Sequence, residues 1–148
     1  MDKRQITPTY FVAPQIDAAD VVELARSGFT RLICNRPDVE VPPSHQYAAI
    51  EAAAAAAGLE IVYHPLTHTT MTPENVAKHR HLAETTSGPV LAYCASGTRC
   101  TIVWALGQAE ALGVDEIIQA ARQAGYDLAN MRPMLETIAS QRNSQDDT

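Results

Sequence analysis

Pro89-Val-Leu-Ala-Tyr-Cys-Ala-Ser-Gly-Thr-Arg-Cys-Thr-Ile-Val-Trp-Ala-Leu106 decides how the chain is read. Val90 to Tyr93, an apolar run bounded by proline and by small polar residues, predicts a short buried strand. Cys94 to Arg99 is then a tight loop, and a helix follows to about Leu112. Ser96, Gly97 and Thr98 are small enough for the backbone to curl with its N–H groups pointing inward. Such a loop, at the positive end of a helix dipole and with a guanidinium five positions after the thiol, is built to hold an anion. The same field lowers the thiol pKa, so Cys94 is expected as a nucleophilic thiolate. Cys94 and Arg99 are the first catalytic candidates, and Ala95, Ser96, Gly97, Thr98 and Arg99 the oxyanion-binding set.

Outward from this stretch, strands alternate with helices. A short strand is expected at Thr9 to Val12, between Pro8 and Pro14, and Asp17 caps a helix through Arg26 that Gly28 stops. Phe29 to Cys34 reads as a buried strand, followed by the proline-broken loop Asn35 to Ser44. Gln46 to Ala57 is an alanine-rich helix closed by Gly58, its alanines read as close packing against the sheet. Leu59 to Tyr63 is the next strand and His64 to Met71 a loop. Thr72 and Pro73 then open a helix to Glu84 or Thr85. Val114 to Ala124 and about Met131 to Gln141 complete the helices. The pattern predicts an α/β domain, a parallel sheet of about four strands flanked by helices, spanning residues 1–141. The apolar-free tail 142–148 is expected to be disordered. In such sheets ligands bind at the carboxyl ends of the strands, so the loops 35–44, 64–71 and 94–99 should converge on one edge.

Composition narrows the function. With 148 residues, 46% hydrophobic, the chain suits one domain. A net charge of −6 without a Lys/Arg cluster argues against nucleic-acid or anionic-membrane partners. The start has no apolar signal segment, no apolar run approaches a membrane span, and the three cysteines form no disulfide pattern. These features together give a cytoplasmic expectation. No histidine and carboxylate group has metal-ligand spacing, and neither metal nor cofactor is expected.

Gly28 to Asp38, Ala57 to Pro65, the Thr72-Pro-Glu74 helix start, Gly88 to Arg99 and Gly125-Tyr-Asp127 together resemble the phosphatase-like domain of the bacterial beta-lactamase hydrolase-like proteins, over about residues 6 to 140. The resemblance implies a fold similar to that of protein-tyrosine and dual-specificity phosphatases. It also implies association with persulfide- and sulfide-handling proteins. A phosphorylated small molecule or phosphoprotein is the partner it suggests. Cys94 would attack phosphorus while Arg99 and the loop N–H groups bind the phosphoryl oxygens.

Two departures from the phosphatase pattern stand out. Those enzymes place five residues between cysteine and arginine, whereas only Ala95-Ser-Gly-Thr98 intervene here. The shorter loop also resembles that of rhodanese-like sulfurtransferases, which keeps persulfide transfer at Cys94 as an alternative beside a non-catalytic oxyanion-binding module. The phosphatases also carry an aspartate general acid on the loop corresponding to 64–71, which here has no acid. His68 and Asp38 are the substitutes proposed as catalytic residues, with Glu74 a further acid nearby. Thr98 or Thr101 is expected to stabilise the thiolate. Cys100 reads as a core filler, or as a partner for a protective disulfide if it faces the loop. Arg36 and Asp38 read as a loop ion pair or turn, His64 as a structural histidine, and His79 and His81 as a solvated helix face.

Overall fold

The computed structural model describes the backbone of residues 1–146 and the side chains of residues 1–141. A hairpin opens the chain: β1 (Arg4–Thr7) turns through Pro8 into β2 (Tyr10–Ala13), with the Thr7 hydroxyl accepting from the Thr9 and Tyr10 amides. Then follow α1 (Ala18–Arg26), β3 (Arg31–Cys34), α2 (Tyr47–Ala57), β4 (Glu60–Tyr63), α3 (Pro73–Glu84), β5 (Val90–Tyr93), α4 (Thr98–Gln108), α5 (Val114–Gln123) and α6 (Arg132–Asp146). The sheet has five strands in the order β1-β2-β5-β3-β4. β2, β5, β3 and β4 run parallel, as expected of the four anticipated strands, and β1 adds an antiparallel edge. Sequence reading missed β1 because Arg4-Gln-Ile-Thr7 is short, polar and an edge strand with one neighbour.

Strand alternation divides the interior into two layers. Val12, Ile33, Val90 and Ala92 face a cluster with Trp104, Ile117 and Leu135, under α3 to α6. Ala13, Leu32, Cys34, Leu91 and Tyr93 face the other, with Leu24, Ile50 and Ala54 of α1 and α2. Ala54 is the buried alanine of α2, with Ala53 and Ala57 packed against this cluster, while Ala48, Ala52, Ala55 and Ala56 are exposed on its outer face. Cys94 continues the Val90–Ala92 face, whereas Cys34 belongs to the opposite layer.

Helix limits follow local chemistry. Asp17 and Asp20 form a reciprocal capping box on α1, and Gly58 closes α2 at φ 72°. α4 ends at Gln108, before the predicted Leu112. α6 runs five residues past the predicted end at Gln141, through Asp146, since neither Gly nor Pro interrupts it after Pro133. The expected tail, 142–148, thus begins within the last turns of this helix, and its residues 147–148 lie outside the described residues. Among the described residues no helix is long and apolar enough to cross a membrane.

Candidate active site

β5 lies at the centre of the sheet, and its end carries Cys94, fully buried, into the loop that starts α4. Gly97 has φ 91°, a left-handed conformation that curls the loop back and points the Gly97 N–H at the Cys94 sulfur, 3.1 Å away. The Cys94 pKa falls from 9.0 to about 5. The Cys100 thiol hydrogen bond to its sulfur is the largest cause, helped by backbone N–H groups of Cys100, Ser96 and Gly97 and opposed by burial. A pKa lowered in this way favours the thiolate form of Cys94. Burial and the same contact push the Cys100 thiol well above its ordinary value.

Neither Thr98 nor Thr101, the hydroxyls expected to stabilise the thiolate, is hydrogen-bonded to the Cys94 sulfur. Thr101 donates instead to the Gly97 carbonyl at 2.8 Å, and the Thr98 hydroxyl accepts from Ser96 at 2.9 Å, so both tie the loop to itself. Ala95 and Ser96 are exposed at the rim, while Gly97 is buried.

Arg99 is 9% exposed and clamped from behind. Its Nη1 donates to Glu40 Oε2 at 2.8 Å and to the Leu66 carbonyl at 2.9 Å, and its Nη2 donates to Glu40 Oε1 at 2.7 Å. A guanidinium has five N–H donors, so the Nε–H and one Nη2–H are left without a partner among the described residues. These two share one edge of the planar group, which fits two oxygens of one anion. The Arg99 charge and the Cys94 thiolate act on one another directly.

Glu40 escaped the sequence reading, for it stands 59 residues from Arg99 with no local spacing to mark it. It sits in a 3-10 turn after β3, between two arginines, and its Arg99 hydrogen bonds hold its pKa below the ordinary carboxylate value. Arg36 pairs with this Glu40, at 3.4 Å, and not with Asp38. The reason lies in Asp38, whose Oδ1 accepts the Tyr47 amide at 2.8 Å and caps the start of α2. His68 is exposed on the loop after β4, two residues beyond the Leu66 carbonyl that grips Arg99. Glu74 is exposed in the first turn of α3.

His79 is a correction: it is 1% exposed, not solvated. The spacing Val76, His79, Ala83 lays it on the inward face of α3. Tyr10 donates to the Cys100 carbonyl at 2.8 Å, which makes His79 Nε2, also 2.8 Å from that hydroxyl, the donor to it. Burial lowers the His79 pKa to about 3, so it stays neutral. His64 is also buried, stacked on His79 at 5.9 Å, and its peptide carbonyl accepts from Asn35 at 2.8 Å. This polar seam backs the first turn of α4. Cys34 is a protonated bystander, its pKa raised by burial. Among the described residues no group of histidines, cysteines and carboxylates could hold a metal ion.

A family model described as "Beta-lactamase hydrolase-like protein, phosphatase-like domain" matches residues 2–111. The chain belongs to this family. Beta-lactamase hydrolase-like proteins of Xylella fastidiosa (strain 9a5c) and Agrobacterium fabrum are 31% and 30% identical to it, over 88% and 84% of this chain. The matches take in 31% and 30% of those proteins, so the chain spans about a third of their length. A crystal structure of a candidate phosphatase from Neisseria meningitidis is 34% identical and superposes with a TM-score of 0.82 over 93% of this chain and 99% of that one. PTPMT1, in complex with PI(5)P, is 14% identical and shares the fold, with a TM-score of 0.73 over 99% of each chain. The phosphatase-like domain of this family is thus built on the protein-tyrosine-phosphatase-like fold that the sequence implied.

Proposed function

We propose that the domain is a cysteine-dependent hydrolase of phosphomonoesters. The observation that carries this reading is the two-donor edge left free on Arg99, whose far side Glu40 and Leu66 hold fixed beside an ionised thiol. In the proposed reaction the Cys94 thiolate attacks phosphorus, the phosphorus–oxygen bond to the leaving group breaks, and a thiophosphoryl enzyme forms. Arg99 and the N–H groups of the loop take up the charge on the equatorial oxygens. Water then attacks phosphorus, releasing phosphate and returning Cys94 as thiolate. The 64–71 loop holds no carboxylate and Asp38 is engaged with α2, so esters with good leaving groups are the best substrates. Similarity to the Neisseria protein supports the reaction class.

The test is hydrolysis of an aryl phosphate by wild type, Cys94→Ser and Arg99→Ala. Cys94→Ser is expected to be inactive, and Arg99→Ala to lose about 10²–10³-fold in kcat, as for removal of an oxyanion donor. Wild type inert toward aryl phosphates, or activity surviving in Cys94→Ser, overturns the reading. Sulfur transfer draws support from the same missing acid, since moving a sulfane sulfur from a persulfide donor to Cys94 needs none. A mass gain of one sulfur atom on Cys94 after treatment with such a donor, together with no phosphatase activity, would select it.

A further inference from the structure

Tyr126, in the turn after α5, is joined to the nucleophile through a single peptide group. The Ser96 carbonyl and the Gly97 N–H are the two ends of one planar amide. At one end the Tyr126 hydroxyl donates to the Ser96 oxygen at 2.9 Å; at the other the N–H reaches the Cys94 sulfur at 3.1 Å. We propose that Tyr126 is a positioning residue for the nucleophile, holding the Ser96–Gly97 peptide with its N–H on the Cys94 sulfur. The proposal rests on the reading of Cys94 as a reactive thiolate.

A peptide next to glycine needs such an anchor. Glycine accepts φ of either sign, so the 96–97 plane can rotate at little steric cost. A rotated plane would present the Ser96 carbonyl to the thiolate, replacing attraction by repulsion. The Tyr126 hydroxyl opposes this in two ways. It bonds the oxygen on the far side, and it fills the space a side chain on Gly97 would need. Its donation also polarises the amide and strengthens the N–H as a donor.

Tyr126 is itself held firmly. It is 8% exposed, its amide bonds the Ala121 carbonyl at 2.9 Å, and Arg4 lies over its ring at 5.5 Å. Arg4 also donates to the Ala124 carbonyl at 3.2 Å and packs where a side chain at Gly125, φ 97°, would sit. The first strand thus braces the tyrosine against the loop.

The readout is the titration of Cys94, measured as the pH dependence of its alkylation by iodoacetamide, with the site confirmed by peptide mass. The groups that interact with Cys94 are Tyr10 from β2, Arg99 and Cys100 from α4, Tyr126 itself and, from the opposite layer, Cys34 of β3. The tyrosines and the two cysteines are shifted upward and Arg99 stays charged, so an inflection in the acid range belongs to Cys94. Tyr126→Phe is expected to move that inflection up by about 0.5–1 unit, slowing alkylation at pH 5 roughly two- to fivefold while leaving the plateau at high pH unchanged. A ring-fluorinated tyrosine at 126, a stronger donor of the same shape, is expected to move it down. An inflection unmoved in both proteins, even with a lowered melting temperature, would reduce Tyr126 to packing and overturn the proposal. A wild-type Cys94 titrating like an ordinary thiol would instead remove the nucleophile reading beneath it.

Discussion

Replacing Cys100 by alanine isolates the thiol that does most to hold Cys94 ionised. The wild-type pKa of about 5 lies four units below 9.0, and the Cys100 hydrogen bond leads its causes. A hydrogen bond to a charged group is worth about 1.5–3 kcal/mol and one pKa unit about 1.4 kcal/mol, so losing it raises Cys94 by about 1–2 units, to roughly 6–7. At pH 5.5 the thiolate fraction then falls from about three-quarters to about one-tenth, while at pH 8 it stays near one. Alkylation rates across pH, followed at the Cys94 peptide, should show roughly an eightfold loss at pH 5.5 and none at pH 8. Cys100→Ser keeps a donor at the position and should retain most of the wild-type profile. A Cys100→Ala inflection still near pH 5, or serine and alanine behaving alike, would refute the assignment.

Other outcomes follow from the same contacts. Glu40→Gln weakens the bidentate clamp on Arg99, and kcat/KM for an aryl phosphate should fall about tenfold, the smaller end of a charge-assisted bond because Glu40 is partly exposed; unchanged kinetics would show that Leu66 alone suffices. Asp38→Ala should cost about 0.5–2 kcal/mol of stability through loss of the α2 cap, whereas Asp38→Asn, which keeps the acceptor oxygen, should match wild type in stability and turnover; a turnover collapse in Asp38→Asn would make Asp38 a proton donor after all. Cys94 is an acid whose pKa is depressed on folding, so its contribution to stability is complete above pH 9 and lost as pH falls toward 5. Denaturant unfolding of wild type at pH 6.5 and 8.5 should therefore show a rise with pH of at most about 1.4 kcal/mol per unit that Cys94→Ala lacks; equal slopes would mean that the thiol is protonated in the native protein.

What sequence could and could not reveal follows from the range of each interaction. The strand, loop and helix around Cys94 were legible because their signals are local: an apolar run, three small residues and a glycine that accepts φ 91°. Asp17, Gly58 and Thr72 announced helix ends for the same reason. The contacts of Glu40 and Tyr126 with the loop were not legible, since each forms only after chain segments of 59 and 30 residues have folded back. His79 could have been read from its spacing with Val76 and Ala83, but the charged neighbours Lys78 and Arg80 suggested solvent. Asp38 shows the opposite case, a carboxylate on the right loop whose oxygen is engaged by a helix start.

The place of β5 in the sheet has a consequence for native-state amide exchange. Its end is stitched on both sides, the Cys94 amide to the Ala13 carbonyl at 3.2 Å and the Tyr93 carbonyl to the Asn35 amide at 2.9 Å. The buried Cys94 amide can exchange only when β2 parts from β5 within the sheet, and the Asn35 amide only when β3 does, openings of high free energy. The segment 67–70, exposed and bonded mainly within itself, can open on its own. Reagents and substrates therefore meet a stem that stays shut beside a loop that breathes, and the slowest exchanging amides should lie at the end of β5 and the fastest in 67–70.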